Sequence, residues 1–155
     1  MIKNRYQGDP AITITQDGAK MYFIGGQPVM DQGLQNPVLI SLFTKPGWWG
    51  NKFFTEDSKK IGSDYEDTCN EPIVALSSIN NITDATDKAL KWLKDIKLAK
   101  DINISVTNPR TNQISVAILI TPPSDDISKL LFLKNGMSWV MQALDPAYKK
   151  FPEVN

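Results

Sequence analysis

Apolar and polar positions alternate with a period of two in three stretches of the chain and recur with a helical period in one. Ala11 to Thr15 alternates apolar residues with threonine, Lys20 to Ile24 is aromatic and rich in β-formers, and Asp17-Gly18 lies between them. That pattern predicts a β-hairpin. Ile102 to Val106 and Ile114 to Ile120 flank the turn-rich Asn108-Pro109-Arg110-Thr111-Asn112 and predict a second hairpin, which Pro122-Pro123 ends. Between the hairpins, Ile82, Ala85, Ala89, Leu93 and Ile96 follow helical spacing with Trp92 beside them. Lys88, Lys91, Lys94 and Lys97 fall mostly on other faces, so a helix is expected from Ile82 to Leu98.

The remaining segments carry weaker signals. Gly25, Gly26 and Pro28 break the first hairpin pattern. Asn36-Pro37 sets an N-cap residue before the residue best tolerated at the first helical position. A short helix holding Val38, Leu39, Ile40, Leu42 and Phe43 follows, closed by Pro46-Gly47; a buried strand is the competing reading. Ser63 and Glu66 stand at capping-box spacing and predict a helical turn, interrupted at Glu71-Pro72. Lys129 to Leu144 has two apolar runs around Asn135-Gly136 that fit strands, helices or one of each. The expected fold is α+β, a small sheet of β-hairpins packed by two to four helices in a single domain over residues 1–155.

Composition then narrows the chemistry. Seventeen lysines and arginines balance seventeen aspartates and glutamates, so no net field draws in a phosphate backbone or an anionic membrane, and neither is an expected partner. There is no histidine, which removes the commonest general base and metal ligand at neutral pH. Cys69 is the single cysteine, expected as a partly buried reduced thiol. Met1 to Pro10 is polar, without the apolar core of a signal peptide, and the chain is expected to stay in the cytosol unless a larger particle carries it out. The sequons at Asn81 and Asn103 are on that expectation unused.

No catalytic, cofactor-binding or metal-binding residue is expected. Gly25-Gly26 lacks the later glycine and lysine of a phosphate loop, and no serine carries a nucleophile-elbow pattern. Glu56, Asp57, Asp64, Glu66, Asp67 and Glu71 form the one local acidic stretch that could supply two carboxylates for glycosidic hydrolysis. Solvated and capping roles account for the same residues, and the alternating oxygen ligands of a calcium loop are absent. Asp84, Asp87 and Asp95 intersperse with the helix lysines, which reads as a solvated face. The least ordinary segment is Gly47-Trp48-Trp49-Gly50-Asn51. Its adjacent indoles could point apart, one plugging the core and one covering a partner, or both could seal the core.

Asp31-Gln32-Gly33-Leu34, Val38 to Thr44, Gly47-Trp48-Trp49-Gly50-Asn51, Ile61-Gly62-Ser63 and Ala89-Leu90-Lys91-Trp92-Leu93 occur in an order that resembles the Mu-like prophage baseplate wedge family. The resemblance spans about residues 31–122, leaving 1–30 and 124–155 as peripheral arms. The chain is also similar to the broader sheath-initiating wedge group of contractile tails, once named for a suspected lysozyme activity. It departs from that group at Lys97 to Ile102, where an acid-proline-arginine motif is usual, and at Asp64-Tyr65-Glu66, where the Mu-like branch carries leucine and tryptophan.

The resemblance implies a structural protein of the virion tail baseplate, assembled in the host cytoplasm, present in several copies of a symmetric baseplate. The implied partners are other wedge proteins, the tail sheath protein, and tail tube or hub proteins. Two surfaces are expected to meet them. One is the tryptophan loop with Trp48, Trp49 and Asn51; the other is the hairpin carrying Ile102, Ile104, Val106, Ile114, Val116 and Ile118, whose edge could accept a sheath strand. The alternatives are a carboxylate-based peptidoglycan hydrolase using Glu66 or Glu71 and a free-standing cytosolic binding module.

Overall fold

A computed structural model describes residues 8–31, 34–125 and 127–143. The longest alternating run lies in β6 (Gln113–Thr121), within a four-stranded antiparallel sheet of β5 (Asp101–Thr107), β6, β7 (Ser128–Asn135) and β8 (Ser138–Ala143), ordered β5-β6-β7-β8. Its register sets Ile104 opposite Ile118, Val116 opposite Phe132, and Phe132 opposite Met141, so apolar side chains form rows across one face. Side chains alternate between faces along a strand, and the buried residues of all four strands fall on this one. Three helices cover it: α1 (Gln35–Phe43), α2 (Tyr65–Asn70) and α3 (Leu76–Asp95). Val38, Leu42, Tyr65, Ile82, Leu90 and Leu93 from the helices join Ile102, Val116, Ile118, Phe132 and Met141 in one cluster. The α+β class with a small antiparallel sheet is therefore the observed one.

Aromatic rings tie the layers together. Phe43 of α1 meets Tyr65 of α2 edge-on at 5.6 Å and Trp139 of β8 at 5.3 Å, and lies 5.9 Å from Phe132 of β7. Lys129 to Leu144, open between strand and helix in the sequence, is mostly β7 and β8 joined by a tight turn in which Gly136 takes φ 58°. Residues 128–143 supply Leu130, Phe132, Trp139 and Met141 to the core. Half the main sheet thus comes from a stretch expected as a peripheral arm, while residues 144–155 lie outside the described part.

The N-terminal strands are β1 (Ile12–Thr15) with β2 (Gly18–Met21), then β3 (Phe23–Ile24) with β4 (Gln27–Pro28). Gly25 and Gly26 are the turn of the second ribbon, at φ 59° and 77°, a pair of left-handed residues that glycine adopts without steric cost. Asn36 does not cap its helix as expected. α1 already begins at Gln35, and the Asn36 side chain reaches the N-terminal segment, donating to the Pro10 carbonyl at 2.9 Å and accepting from the Ile12 N–H at 3.0 Å. Gln35 donates to the Ile12 carbonyl, and Asp31 accepts the Asn36 backbone N–H at 2.8 Å. Ser63 is likewise diverted. Its hydroxyl donates to the Leu42 carbonyl and its N–H to the Thr44 carbonyl, both at 2.9 Å, so it satisfies the end of α1 and leaves α2 without a side-chain cap.

α3 starts six residues before the expected Ile82 and stops three short of Leu98. It buries Ile82, Thr86, Leu90 and Leu93, and the Thr86 hydroxyl is satisfied by the Ile82 carbonyl at 2.6 Å. The stop is a Schellman closure. Lys97 takes φ 62°, its N–H donates to the Lys94 carbonyl at 3.0 Å, and the Leu98 N–H donates to the Leu93 carbonyl at 2.9 Å. A lysine holds the position that glycine ordinarily fills, at a steric cost of about 1 kcal/mol. Lys97→Gly is therefore expected to raise stability by about 0.5–1 kcal/mol in urea unfolding with an unchanged slope; no gain would mean that the Lys97 side chain stabilises this end of the helix.

Candidate partner-binding surfaces

β5 is a terminal strand of the main sheet, and no described element pairs with its outer edge. The other terminal strand, β8, has β1 packed against it. Every second residue of an edge strand points its N–H and C=O outwards, and such a row is a template for an added strand. Natural edges are usually guarded by lysine, proline or a bulge. β5 has none of these, and Asp101 is its one charged residue.

The six hairpin side chains singled out from the sequence divide between the strands. Ile114, Val116 and Ile118 are buried in the core, and β6 is paired on both sides, so neither their side chains nor their backbone can meet a partner. Ile102 is buried, and Ile104 and Val106 pack partly against the core, so these three side chains face the helices and not the open edge. The face of β5 turned away from the helices shows Asp101, Asn103, Ser105 and Thr107, all exposed.

The second surface is built from Trp48 and a 3-10 helix, Trp49–Phe53. Neither indole is in the core: Trp48 is 38% exposed and Trp49 65%. Phe53 and Phe54 extend the patch at 78% and 41%. Trp49 meets Trp48 at 5.6 Å and Phe53 edge-on at 6.0 Å, so the rings form a continuous array. Trp48 lies over Gly50, where any Cβ would collide with its ring. Asn51, expected at the interface, is instead the internal fastener: its side chain donates to the Ile61 carbonyl at 2.7 Å and accepts from the Ile61 N–H at 2.9 Å. Phe53 and Phe54 are not among the residues singled out from the sequence, although a second aromatic pair beginning four positions after Trp49 is the available signal.

Three acids of the acidic stretch are engaged with lysines. Glu56 pairs with Lys59 at 2.8 Å, Asp57 with Lys60 at 2.6 Å, and Asp67 with Lys45 at 3.1 Å, all exposed. The hydrogen bond from Lys60, reinforced by its charge, holds the Asp57 carboxyl below its ordinary value, the reverse of what a general acid needs. Among the described residues no group of three potential metal ligands comes together, and no helix is long and apolar enough to cross a membrane. The buried Tyr65 hydroxyl makes no well-formed hydrogen bond; it interacts with the Cys69 thiol one helical turn on. Burial raises both groups, the thiol to about 12.

The sequence is 27% identical, over 120 residues, to the Mu-like prophage FluMu protein gp46 of Haemophilus influenzae, a match taking in 69% of this chain and 82% of that protein. The likeness is to a phage protein. No family model matches the chain, and no solved structure matches it.

Two outcomes follow from this geometry. Trp48→Ala with Trp49→Ala is expected to leave the melting temperature within a few degrees, because exposed rings contribute little to the core; early melting would make the rings part of the fold. Cys69 is expected to resist thiol reagents in the native state at pH 8 and to react as the chain unfolds. Because its folded value lies above its ordinary one, the stability it contributes is complete below pH 9 and is lost as pH rises towards 12. Rapid native labelling would contradict this.

Proposed function

We propose that this chain is a structural component of the baseplate of a contractile phage tail or tail-like particle. In this reading it joins the wedge through the Trp48-Trp49 loop and starts or anchors the sheath by accepting a strand at β5, with tail tube or hub proteins as further neighbours. The open β5 edge is the observation that carries the strand-addition step, and the likeness to a prophage protein supports a phage setting. No catalytic role belongs to the reading. Of the acids a hydrolase reading would use, Glu71 is exposed and Glu66 half-buried, whereas a glycosidase acid needs the apolar burial that raises its pKa.

Alternate residues of β5 donate outwards, so Ser105→Pro and Val106→Pro, made separately, distinguish the two sets. One variant breaks the ladder with β6 and melts early; the other keeps the fold and loses an outward donor. The stable variant is expected to enter tail particles that fail to grow sheath, scored by electron microscopy. Normal sheath growth on it would sink strand addition at β5.

A further inference from the structure

The aromatic array carries one charge that makes no ion pair among the described residues. Of the lysines that flank it in sequence, Lys45, Lys59 and Lys60 are paired with Asp67, Glu56 and Asp57 at 3.1 Å or less. Lys52 is exposed and makes no ion pair among the described residues. It follows Trp49 by three residues in a 3-10 helix, where residues at that spacing lie one above the other, and it precedes Phe53. Trp49, Lys52 and Phe53 therefore present a cation set among exposed rings.

This surface is held in place before any partner arrives. The paired hydrogen bonds between Asn51 and Ile61 fix the middle of the 3-10 helix, and Trp48 is seated on Gly50. A loop fixed in this way loses little conformational freedom on binding, which is the main cost that weakens contacts made by mobile loops. Exposed aromatic patches of this kind mark interaction sites, and aromatic anchors lie at the centre of protein interfaces.

We infer that the Trp49-Lys52-Phe53 surface docks an acidic protein segment, one that lays an apolar side chain on the rings and sets an aspartate or glutamate against Lys52. The inference rests on the baseplate reading and specifies the chemistry of the partner at the tryptophan loop. An anionic membrane is the weaker match, because three of these four lysines are already paired and the chain has no net charge.

The test uses tail particles from the source genome with this gene deleted, to which the purified full chain is added at rising salt. The wild-type chain is expected to bind with an affinity that falls as salt rises. Lys52→Arg should bind like wild type, Lys52→Glu about tenfold or more weakly, and Trp49→Ala with Phe53→Ala hardly at all, each with unchanged circular dichroism and melting. Equal binding by Lys52→Glu and wild type overturns the acidic partner while leaving the baseplate reading intact. Binding of the chain to phosphatidylglycerol vesicles, lost in the same variants, overturns it in favour of a membrane. A wild-type chain that binds no particle defeats the baseplate reading and this inference with it.

Discussion

Ile114, Val116, Ile118 and Ile120 project from β6 into the helical layer because β6 is held in one register between β5 and β7. A slip of one residue would turn all four to the opposite face. Burying a side chain of this size is worth roughly 1.5–3 kcal/mol, so the slip would forfeit roughly 6–12 kcal/mol. That matches the whole margin by which domains of this size are stable, about 5–15 kcal/mol. The register is thus a condition of folding, and it fixes which residues remain for anything else. β6 is committed to the core, which leaves β5 as the strand of this hairpin with an unpaired edge.

The polar contacts of α1 serve the same arrangement. Asn36 and Gln35, both buried, spend their side chains on the backbone of residues 10–12 and so fasten the N-terminal ribbon to the helical layer. Ser41 accepts from the Trp92 indole at 2.8 Å and donates to the Pro37 carbonyl at 2.8 Å, joining α1 to α3. Ser63 closes the other end of α1. Gln35, Asn36 and Ser63 bond another element in place of their own helix, and Ser41 does both, where an unpaired buried donor or acceptor would cost about 1–3 kcal/mol.

These choices mark where sequence reading succeeds and where it stops. Partial alternation in Ile102 to Val106 and Ile114 to Ile120 identifies strands with one dry face, and the spacing of Ile82, Ala85, Ala89 and Leu93 identifies α3, because periodicity is local. In β7 the signal is lost: Leu130, Leu131, Phe132 and Leu133 are apolar on both faces, and Lys134 lies on the inner face with its ammonium turned to the Gly136 carbonyl. A run apolar on both faces has no period, so strand and helix are equally good readings of it. The roles of Asn36, Ser63 and Asn51 depend on which chain segment comes to lie beside them, and local pattern is blind to that. The tryptophans are legible as unusual, but their exposure depends on the fold of a loop that Asn51 fastens to Ile61, ten residues on.

The two surfaces differ in what they can recognise. A strand edge offers backbone donors and acceptors common to every sequence, so it supplies affinity with little discrimination, and an unguarded edge of seven residues is also a route to aggregation. An aromatic array with one cation discriminates by shape and charge, but its footprint is small. On the proposed reading the division has a physical logic. A strand-accepting edge cannot carry the prolines or lysines that would protect it, so protection has to come from elsewhere. The hydrophilic outward side chains of β5, Asp101, Asn103, Ser105 and Thr107, deny a second hydrophobic strand a dry face to stack on.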